Sequence, residues 1–486
     1  MCPQSETQGG SGAPRPYIIA CILTFGKRST GVGYGHLAMV MTQLFWTVYS
    51  AYHLRGQAQR PFASQQALKR DQDRRLQSII AYAFQYVPYY RETMSRLGLR
   101  PGDFIQVEDL EKLPILEPNQ IQRDPEYFVS TRQPLQRYLR LRSGGSTGMP
   151  RTVYHDTRAV LQNAAHGERE RSIVASLVGK WLGYREAIIV PPVSTNEKVP
   201  RFTQGLRLLP RGVRIERQFL SLLDEPATTV ELLNRFQPDV VHSYGSYVGY
   251  LFSHLESHGD ARFRPKVITY SSDDLVDSAR RRITDNYGIP VLCTYQSAEA
   301  FKIGFQCGKH SGLHSNFDLY PLRVIQSGGA TARPGEEGEV IISNLVNRAT
   351  VLLNYRLGDL AAMLPETCPC RRSLPLISLP RGRSADWIQL PSGRIIHPLA
   401  LQTAMKEEEQ LCQFQLIQRT TSHFELLLVL ARQDASQQLM ERLAAKFFAI
   451  CGDGVSCDIR IVDSIPRTAS GKVRPVISLC SASRQI

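Results

Sequence analysis

Between residues 142 and 151 the chain reads RSGGSTGMPR, a stretch suited to meeting an anion. Gly144, Gly145 and Gly148 let the backbone approach a ligand closely and turn its N–H groups toward it. The hydroxyls of Ser143, Ser146 and Thr147 add donors, and the Arg151 guanidinium adds charge. A nucleotide phosphate suits such a loop; a flexible Gly/Ser turn with no ligand has the same composition, so the stretch alone leaves both readings open. It is not a Walker loop, because no Gly-Lys-Ser/Thr follows at the required spacing. An earlier GVGYG at 31–35 lacks the GxGxxG spacing of a dinucleotide loop and is set aside.

A second constellation has the chemistry of a soft metal site. Cys307 and His314 in CGKHSGLH, with Cys368 and Cys370 in CPC, could close a tetrahedron around zinc, with His310 as an alternative nitrogen ligand. The spacing is looser than two paired CxxC knuckles. Free, partly buried cysteines fit it as well.

The elements that must hold these residues alternate in type. Residues 55–98 read as Gln- and Arg-rich helices with apolar residues at helical spacing (Leu76, Ile79, Ile80, Ala83, Phe84), interrupted at Pro88. Beyond it, strand-like runs (AIIVPPV at 187–193, DVVHSY, VITYSS at 267–272, VLCTY at 291–295) alternate with helix-like ones (VELLNRF, DLVDSARRRITDNYG). That order predicts an α/β fold with a largely parallel, helix-covered sheet, which binds ligands beyond the carboxyl ends of its strands. From about residue 383 the texture changes: IIHP, a charged helix at MKEEEQ, alternating FELLLVLA, the helix LMERLAAKFFAI, a strand at 458–462 and a basic tail. This predicts a small α+β domain. The expected division is a polar N-terminal extension with an apolar helix at 1–60, a large domain at 61–382 and a small mobile domain at 383–486.

Four later segments add to the phosphate loop: TYQSAE (294–299), NYRLGD (354–359), GRSADWIQLPSGRIIHP (382–398) and PRTASGK (466–472). In this order the five resemble the adenylate-forming superfamily of acyl-CoA synthetases and related ligases. The phenylacetate–CoA ligase branch is the nearest in pattern, through YAFQYVPYYRE at 82–92, the CPC and the compact C-terminal part. The resemblance spans about residues 65–486.

It implies ATP-dependent activation of a carboxylic acid to an acyl-AMP, then acyl transfer to CoA. The loop from Ser143 to Arg151 would hold the β- and γ-phosphates, with Arg151 where the family usually has Lys, a charge of different geometry. Glu299 would lie at Mg²⁺, a hard carboxylate for a hard cation; without the wider pattern it reads as a helix-start Glu. Ala298 replaces the Thr that contacts phosphate in the family. Tyr295, with Gln296 and Ser297, would lie beside adenine, as would Ser272 and Asp273 of SSDD. Asp359 would accept both ribose hydroxyls, an acceptor-only role; Arg383 would add a second ribose or phosphate contact. Asp386 matches the hinge of the small domain. Lys472 would bridge carboxylate and α-phosphate as charge moves to the leaving pyrophosphate. The resemblance also implies structural Zn²⁺ at Cys307, His314, Cys368 and Cys370, stapling two loops and taking no part in the reaction.

Composition sets the remaining bounds. A net charge of +14 points to anionic partners, but the basic residues are scattered without interleaved aromatics, so nucleic acid is not expected. Ten cysteines in 486 residues make no disulfide scaffold, and the polar start lacks an export signal, so a cytoplasmic setting is the expectation. Residues 37–54 carry no Asp, Glu, Lys or Arg; a helix packed on the body is the favoured reading, membrane or partner association the other. An amine or carrier-protein thiol as acceptor, and a non-catalytic nucleotide-binding descendant, are the alternatives in function. The acid's identity is not readable: Tyr244 and Tyr247 are the aromatics of the expected acyl region, with no decisive charge.

Overall fold

The structure, a computed structural model, describes residues 32–143, 151–380 and 388–480, apart from 193, 206–214, 259–260, 273–274, 276, 327–328, 397, 406–407, 409–410, 431–436, 463–464 and 466–474. The N-terminal part is helical: α1 (Val32–Leu54), α2 (Gln65–Tyr86), α3 (Pro88–Arg96) and α4 (Pro118–Arg123). Ser64 caps α2 by accepting the Ala67 N–H. Pro88 opens α3 at the position where its missing N–H costs nothing. α1 lies on α5 (Thr157–His166), where Gln162 donates to the Tyr49 hydroxyl at 2.5 Å, so the apolar 37–54 segment is a helix packed on the body. Its other side leaves Met41, Leu44, Phe45, Val48 and Tyr52 exposed. Among the described residues no helix is long and apolar enough to cross a membrane.

β1 (Leu139–Ser143) and β2 (Arg151–His155) form an antiparallel hairpin that places Ser143 opposite Arg151. The expected phosphate loop is therefore the connection between two strands. After α6 (Glu168–Val178) the chain alternates: β3 (Arg185–Val190), α7 (Thr195–Gly205), β4 (Glu216–Ser221), α8 (Pro226–Phe236), β5 (Val240–Tyr244), α9 (Gly245–His258), β6 (Val267–Ser271), α10 (Asp277–Tyr287), β7 (Val291–Ser297). Then come β8 (Phe301–Gln306), β9 (Leu313–Ser315), β10 (Leu322–Ile325), β11 (Glu337–Ile342), β12 (Tyr355–Leu364) and β13 (Leu376–Ile377).

These strands form one sheet in the order β10-β11-β12-β13-β9-β8-β7-β6-β5-β3-β4. It is α/β, but the expectation of a largely parallel sheet is corrected. Only β4, β3, β5, β6 and β7 pair in parallel, and every pairing from β7 onward is antiparallel. Parallel pairing needs a crossover, which α8, α9 and α10 provide. The three-residue turn at 298–300 can only fold β8 back on β7.

The parallel strands are covered on both faces, which explains their unbroken apolar runs. Val241, Ile268 and Val291 pack with Val230, Leu233, Leu251 and Ile283 of the crossover helices. Their neighbours Val240, Val267 and Leu292 point the other way, onto Ile173, Val174 and Val178 of α6. Next to this second face lies a buried ion pair. Both Arg169 Nη atoms donate to the Asp318 carboxylate at 2.7 Å, and Nε donates to Gln57 at 3.0 Å, so α6 is tied to the β9–β10 connection and to the segment after α1.

The C-terminal part has its own core. β14 (Ile388–Gln389) and β15 (Ile395–Ile396) form a hairpin, followed by α11 (Pro398–Met405), β16 (Leu411–Gln418), β17 (His423–Leu430), α12 (Gln437–Cys451), β18 (Ser456–Ile461) and β19 (Val476–Ser478). The sheet order is β18-β17-β16-β19. Phe424, Leu426 and Leu428 face Leu439, Leu443 and Phe447, a strand face meeting one stripe of α12. α11 ends at Met405, and most of the MKEEEQ run expected to be helical lies outside the described residues. The strand expected at 458–462 begins two residues earlier, in register with β17.

Arg169 and Asp318 are 1% and 2% exposed. Truncating either, as in Asp318→Ala, leaves an uncompensated buried charge and should cost about 3–5 kcal/mol of stability. Denaturant unfolding of Asp318→Ala and of the double variant Arg169→Met/Asp318→Leu checks this: the double variant should recover much of the loss, and an equal loss in both contradicts it.

Candidate active site and metal centre

Three separate stretches meet at Arg151. The residue opens β2 and is 6% exposed. Its Nη1 donates to the Tyr355 hydroxyl at the start of β12, and the same atom lies 3.8 Å from Glu299 Oε1. Burial alone would lower the Arg151 pKa, but the Tyr355 phenol and the Glu299 carboxylate outweigh it and hold the guanidinium above its ordinary value. Burial, against the pull of Arg151, pushes the Tyr355 phenol up. One permanent cation thus stands between a neutral phenol and a carboxylate in a nearly dry setting.

Glu299 sits in the 298–300 turn between β7 and β8, not at the start of a helix, so the helix-start reading of this residue is overturned. The turn is fixed at three points. His155 Nε2 meets the Ala298 carbonyl at 2.8 Å, Asn344 donates to the Glu299 carbonyl at 2.8 Å, and the Ala300 N–H donates to Ser297 Oγ at 3.1 Å. Phe301, next in the chain, is held at φ +52°, a conformation an L residue keeps only where its surroundings impose it.

Asp359 lies within β12, just after Gly358, whose φ of +89° suits glycine. The Tyr295 hydroxyl donates to Asp359 Oδ2 at 2.9 Å. Burial first, and the Asp359 charge second, push the Tyr295 phenol well above its ordinary value. Gln296 turns instead to Asn196 and Ser271. Ser272, at φ +77°, follows β6 with an exposed side chain. The structure therefore gathers Arg151, Glu299, Tyr295 and Asp359 into one cluster, with Gln296, Ser297 and Ser272 beside it. Gly144, Gly145, Ser146, Thr147, Gly148, Asp273, Arg383, Asp386 and Lys472 lie outside the described residues.

Tyr355, His155, Asn344 and Asn196 had no part in the sequence reading. Tyr355 stands inside NYRLGD and could have been weighed there. The others belong to no motif and are found only through their partners.

The second constellation is assembled from β9, which carries His314, and from the connections after β8 and β12. The ligand atoms of Cys307, His314, Cys368 and Cys370 all lie within 4.8 Å of one another. Cys307 Sγ is 3.5 Å from Cys368 Sγ, and Cys370 Sγ is 3.3 Å from His314 Nε2. A tetrahedron with zinc–sulfur bonds of about 2.3 Å has edges of about 3.8 Å, so the donor set fits that ion. Burial pushes the Cys307 thiol up to about 12 and the His314 imidazole down to about 4, the neutral form that ligates metals. At Cys370 burial is outweighed by donors at Arg372, which hold the thiol below its ordinary value. His310, the alternative ligand, is exposed and outside the cluster.

Likeness to known proteins extends these observations. The CapK C-terminal domain family model matches residues 388–479, the span of the second core. The phenylacetate-coenzyme A ligase of Escherichia coli K12 is 26% identical over 441 residues, covering 86% of this chain and 96% of that protein. The enzyme of the same name from Thermus thermophilus is 22% identical, covering 84% and 96%. A solved 2-hydroxyisobutyryl-CoA ligase in complex with 2-HIB-AMP and CoA superposes with a TM-score of 0.56 at 16% identity, covering 86% of this chain and 90% of that one. The fold is that of the adenylate-forming enzymes of acyl-CoA synthetase type. Along most of its length the chain is similar in sequence to phenylacetate–CoA ligases, at 22–26% identity.

His155 gives the site a pH signature. It is fully buried and pushed down to about 4 by desolvation, from an ordinary value of 6.5. As pH falls through 6.5 the unfolded chain takes a proton that the folded chain refuses, so stability is lost between pH 6.5 and 4 and is unaffected above. The loss is a few kcal/mol at about pH 4. Thermal midpoints across that window should fall more steeply for the wild type than for His155→Asn, whose amide can donate without titrating; parallel curves contradict the assignment.

Proposed function

We propose that the chain activates a carboxylic acid with ATP, releasing pyrophosphate and forming an acyl-AMP, and then transfers the acyl group to CoA. The observation that carries this reading is the convergence of Arg151, Glu299, Tyr295 and Asp359, from three distant stretches, at one buried cluster. Adenylation brings a carboxylate and a triphosphate together, so a site for it must hold positive charge ready where the two meet.

Arg151 supplies that charge in a fixed position. The 144–148 loop, emerging from the hairpin that Arg151 closes, would cradle the β- and γ-phosphates with its N–H groups. Glu299 would hold Mg²⁺, a hard oxygen donor for a hard cation, with phosphate and water as the other ligands. Asp359 would accept the ribose hydroxyls, with Tyr295 beside the base. Arg383 would add a contact, and Lys472 would bridge carboxylate and α-phosphate. Asp386 would be the hinge on which the part carrying Lys472 turns, so that adenylation and acyl transfer use one pocket in succession. Zinc would be held by Cys307, His314, Cys368 and Cys370 to fix two loops, with no role in the reaction. CoA is favoured over an amine or a carrier thiol by the coenzyme A ligases that match most of the chain. A reduced, cytoplasmic setting would keep the three cysteines of the zinc site available as thiolate ligands.

Carboxylate-dependent pyrophosphate exchange tests the first half. Lys472→Ala should lower it by roughly 10²–10³-fold while ATP affinity changes only a few-fold; normal exchange in that variant removes the assignment. Glu299→Gln should raise the Mg²⁺ concentration needed for half-maximal rate.

Metal analysis tests the zinc site. Purified protein should carry about one equivalent of zinc, and Cys368→Ser should lose it together with several degrees of thermal stability. Less than about a tenth of an equivalent in the wild type argues against it.

A further inference from the structure

β7 divides two environments. Tyr295 faces Asp359, on the side proposed for the nucleotide. Gln296 faces away from it: its Nε2 donates to Asn196 Oδ1 at 2.9 Å and to Ser271 Oγ at 2.8 Å. Asn196 Nδ2 in turn lies 3.3 Å from Ser272 Oγ. Beneath them, Ser271 Oγ lies 3.5 Å from His242 Nε2, and His242 Nδ1 is 2.9 Å from Thr269 Oγ1. α7, β5, β6 and β7 thus converge on a polar wall at the carboxyl ends of parallel strands, where sheets of this kind bind ligands.

The wall is accessible. Asn196, Gln296 and His242 are only half buried, and Ser272 is exposed. Both Gln296 donors are engaged, and its Oε1 remains an acceptor, with no donor to it among the described residues. Two residues lie between Gln296 and Glu299, so three Cα steps join them, a span of at most about 10 Å. That is the length of a small aryl acid lying between the two, carboxylate toward Arg151 and far end against the amides. A hydrocarbon end would desolvate these amides and hydroxyls and return no hydrogen bond.

Resting on the adenylation reading above, we propose that the acid carries a polar substituent, a hydroxyl or amino group distant from the carboxylate, and that Gln296 and Asn196 determine specificity by bonding it, with the buried Ser271 positioning Gln296. Sites built to bond a substrate hydroxyl or amine reject the analogue that lacks it far more strongly than apolar pockets discriminate by size.

The test is pyrophosphate exchange by the full-length chain with matched acids: phenylacetate against 4-hydroxyphenylacetate, benzoate against 3-hydroxy- and 4-aminobenzoate, with aliphatic, heteroaryl and amino acids alongside. The polar member of at least one pair should exceed its parent in kcat/KM by about 10²-fold or more. In Gln296→Leu and Asn196→Leu that ratio should fall at least roughly tenfold, mainly through the polar acid. Equal use of polar and unsubstituted acids overturns the proposal and leaves adenylation standing. A variant that raises the KM for ATP and leaves the ratio unchanged assigns Gln296 to the nucleotide and also overturns it. Exchange with no acid of the panel overturns the adenylation reading itself.

Discussion

A guanidinium buried to 6% exposure is the constraint around which the large part is organised. Taking such a charge out of water costs several kcal/mol unless partners are supplied, and Arg151 receives them from β12 and from the β7–β8 turn. The two contacts differ in kind. The phenol of Tyr355 is hydrogen-bonded, whereas the Glu299 carboxylate stands 3.8 Å away, inside ion-pair range and beyond a hydrogen bond. The carboxylate therefore stabilises the cation through space, without a hydrogen bond to that atom.

What keeps Glu299 at that distance is a supporting layer that touches no reacting group. His155 and Asn344 hold the carbonyls of the turn, and Ser297 holds its N–H. The sheet contributes by being half of each kind. Its parallel strands present their ends to a ligand, and its antiparallel strands return the chain so that Tyr355 and Asp359, on β12, reach the same place as β7. A wholly parallel sheet would have left the carboxylate and the phenol elsewhere.

Legibility in the sequence followed the physics of each feature. The crossover region was readable because strands covered on both faces are apolar at every position, as in VITYSS and VLCTY. The antiparallel half was not: NYRLGD looks like a turn because of Gly358, yet it lies in a long strand that admits a left-handed glycine. Arg151, Glu299, Asp359 and Tyr295 stood in motifs whose residue types already named their chemistry. The candidate metal ligands, His314 among them, were readable because thiols and imidazoles are scarce, and geometry sets the alternative His310 aside. Asn196 and His155 carry no pattern; a lone amide or imidazole becomes informative only when its partners are known. Pro88 shows how a boundary can be read directly, because its missing N–H marks the start of α3.

The motion proposed for the C-terminal part has a physical basis in how weakly it is fastened. Its core, from Ile388 to Val476, is closed on itself, with Phe414, Phe424 and Phe447 buried among their own neighbours. Among the bonds to the large part are Arg394 to Glu225 at 3.1 Å and Arg142 Nη2 to the Glu408 carbonyl at 3.2 Å. The Arg394–Glu225 side chains are 31% and 58% exposed, and ion pairs of that kind contribute about 0–1 kcal/mol. Separating the two bodies there would give up the Arg394–Glu225 pair, the Arg142–Glu408 bond and the packing of Leu223 on the C-terminal core, and would leave the phenylalanines of that core covered. The buried Arg169–Asp318 pair, with its two 2.7 Å bonds, is the opposite case and ties elements that must stay together. The buried pair fastens elements within the large part, while polar contacts such as Arg394–Glu225 join it to the C-terminal part, the arrangement that the proposed turning of that part would need.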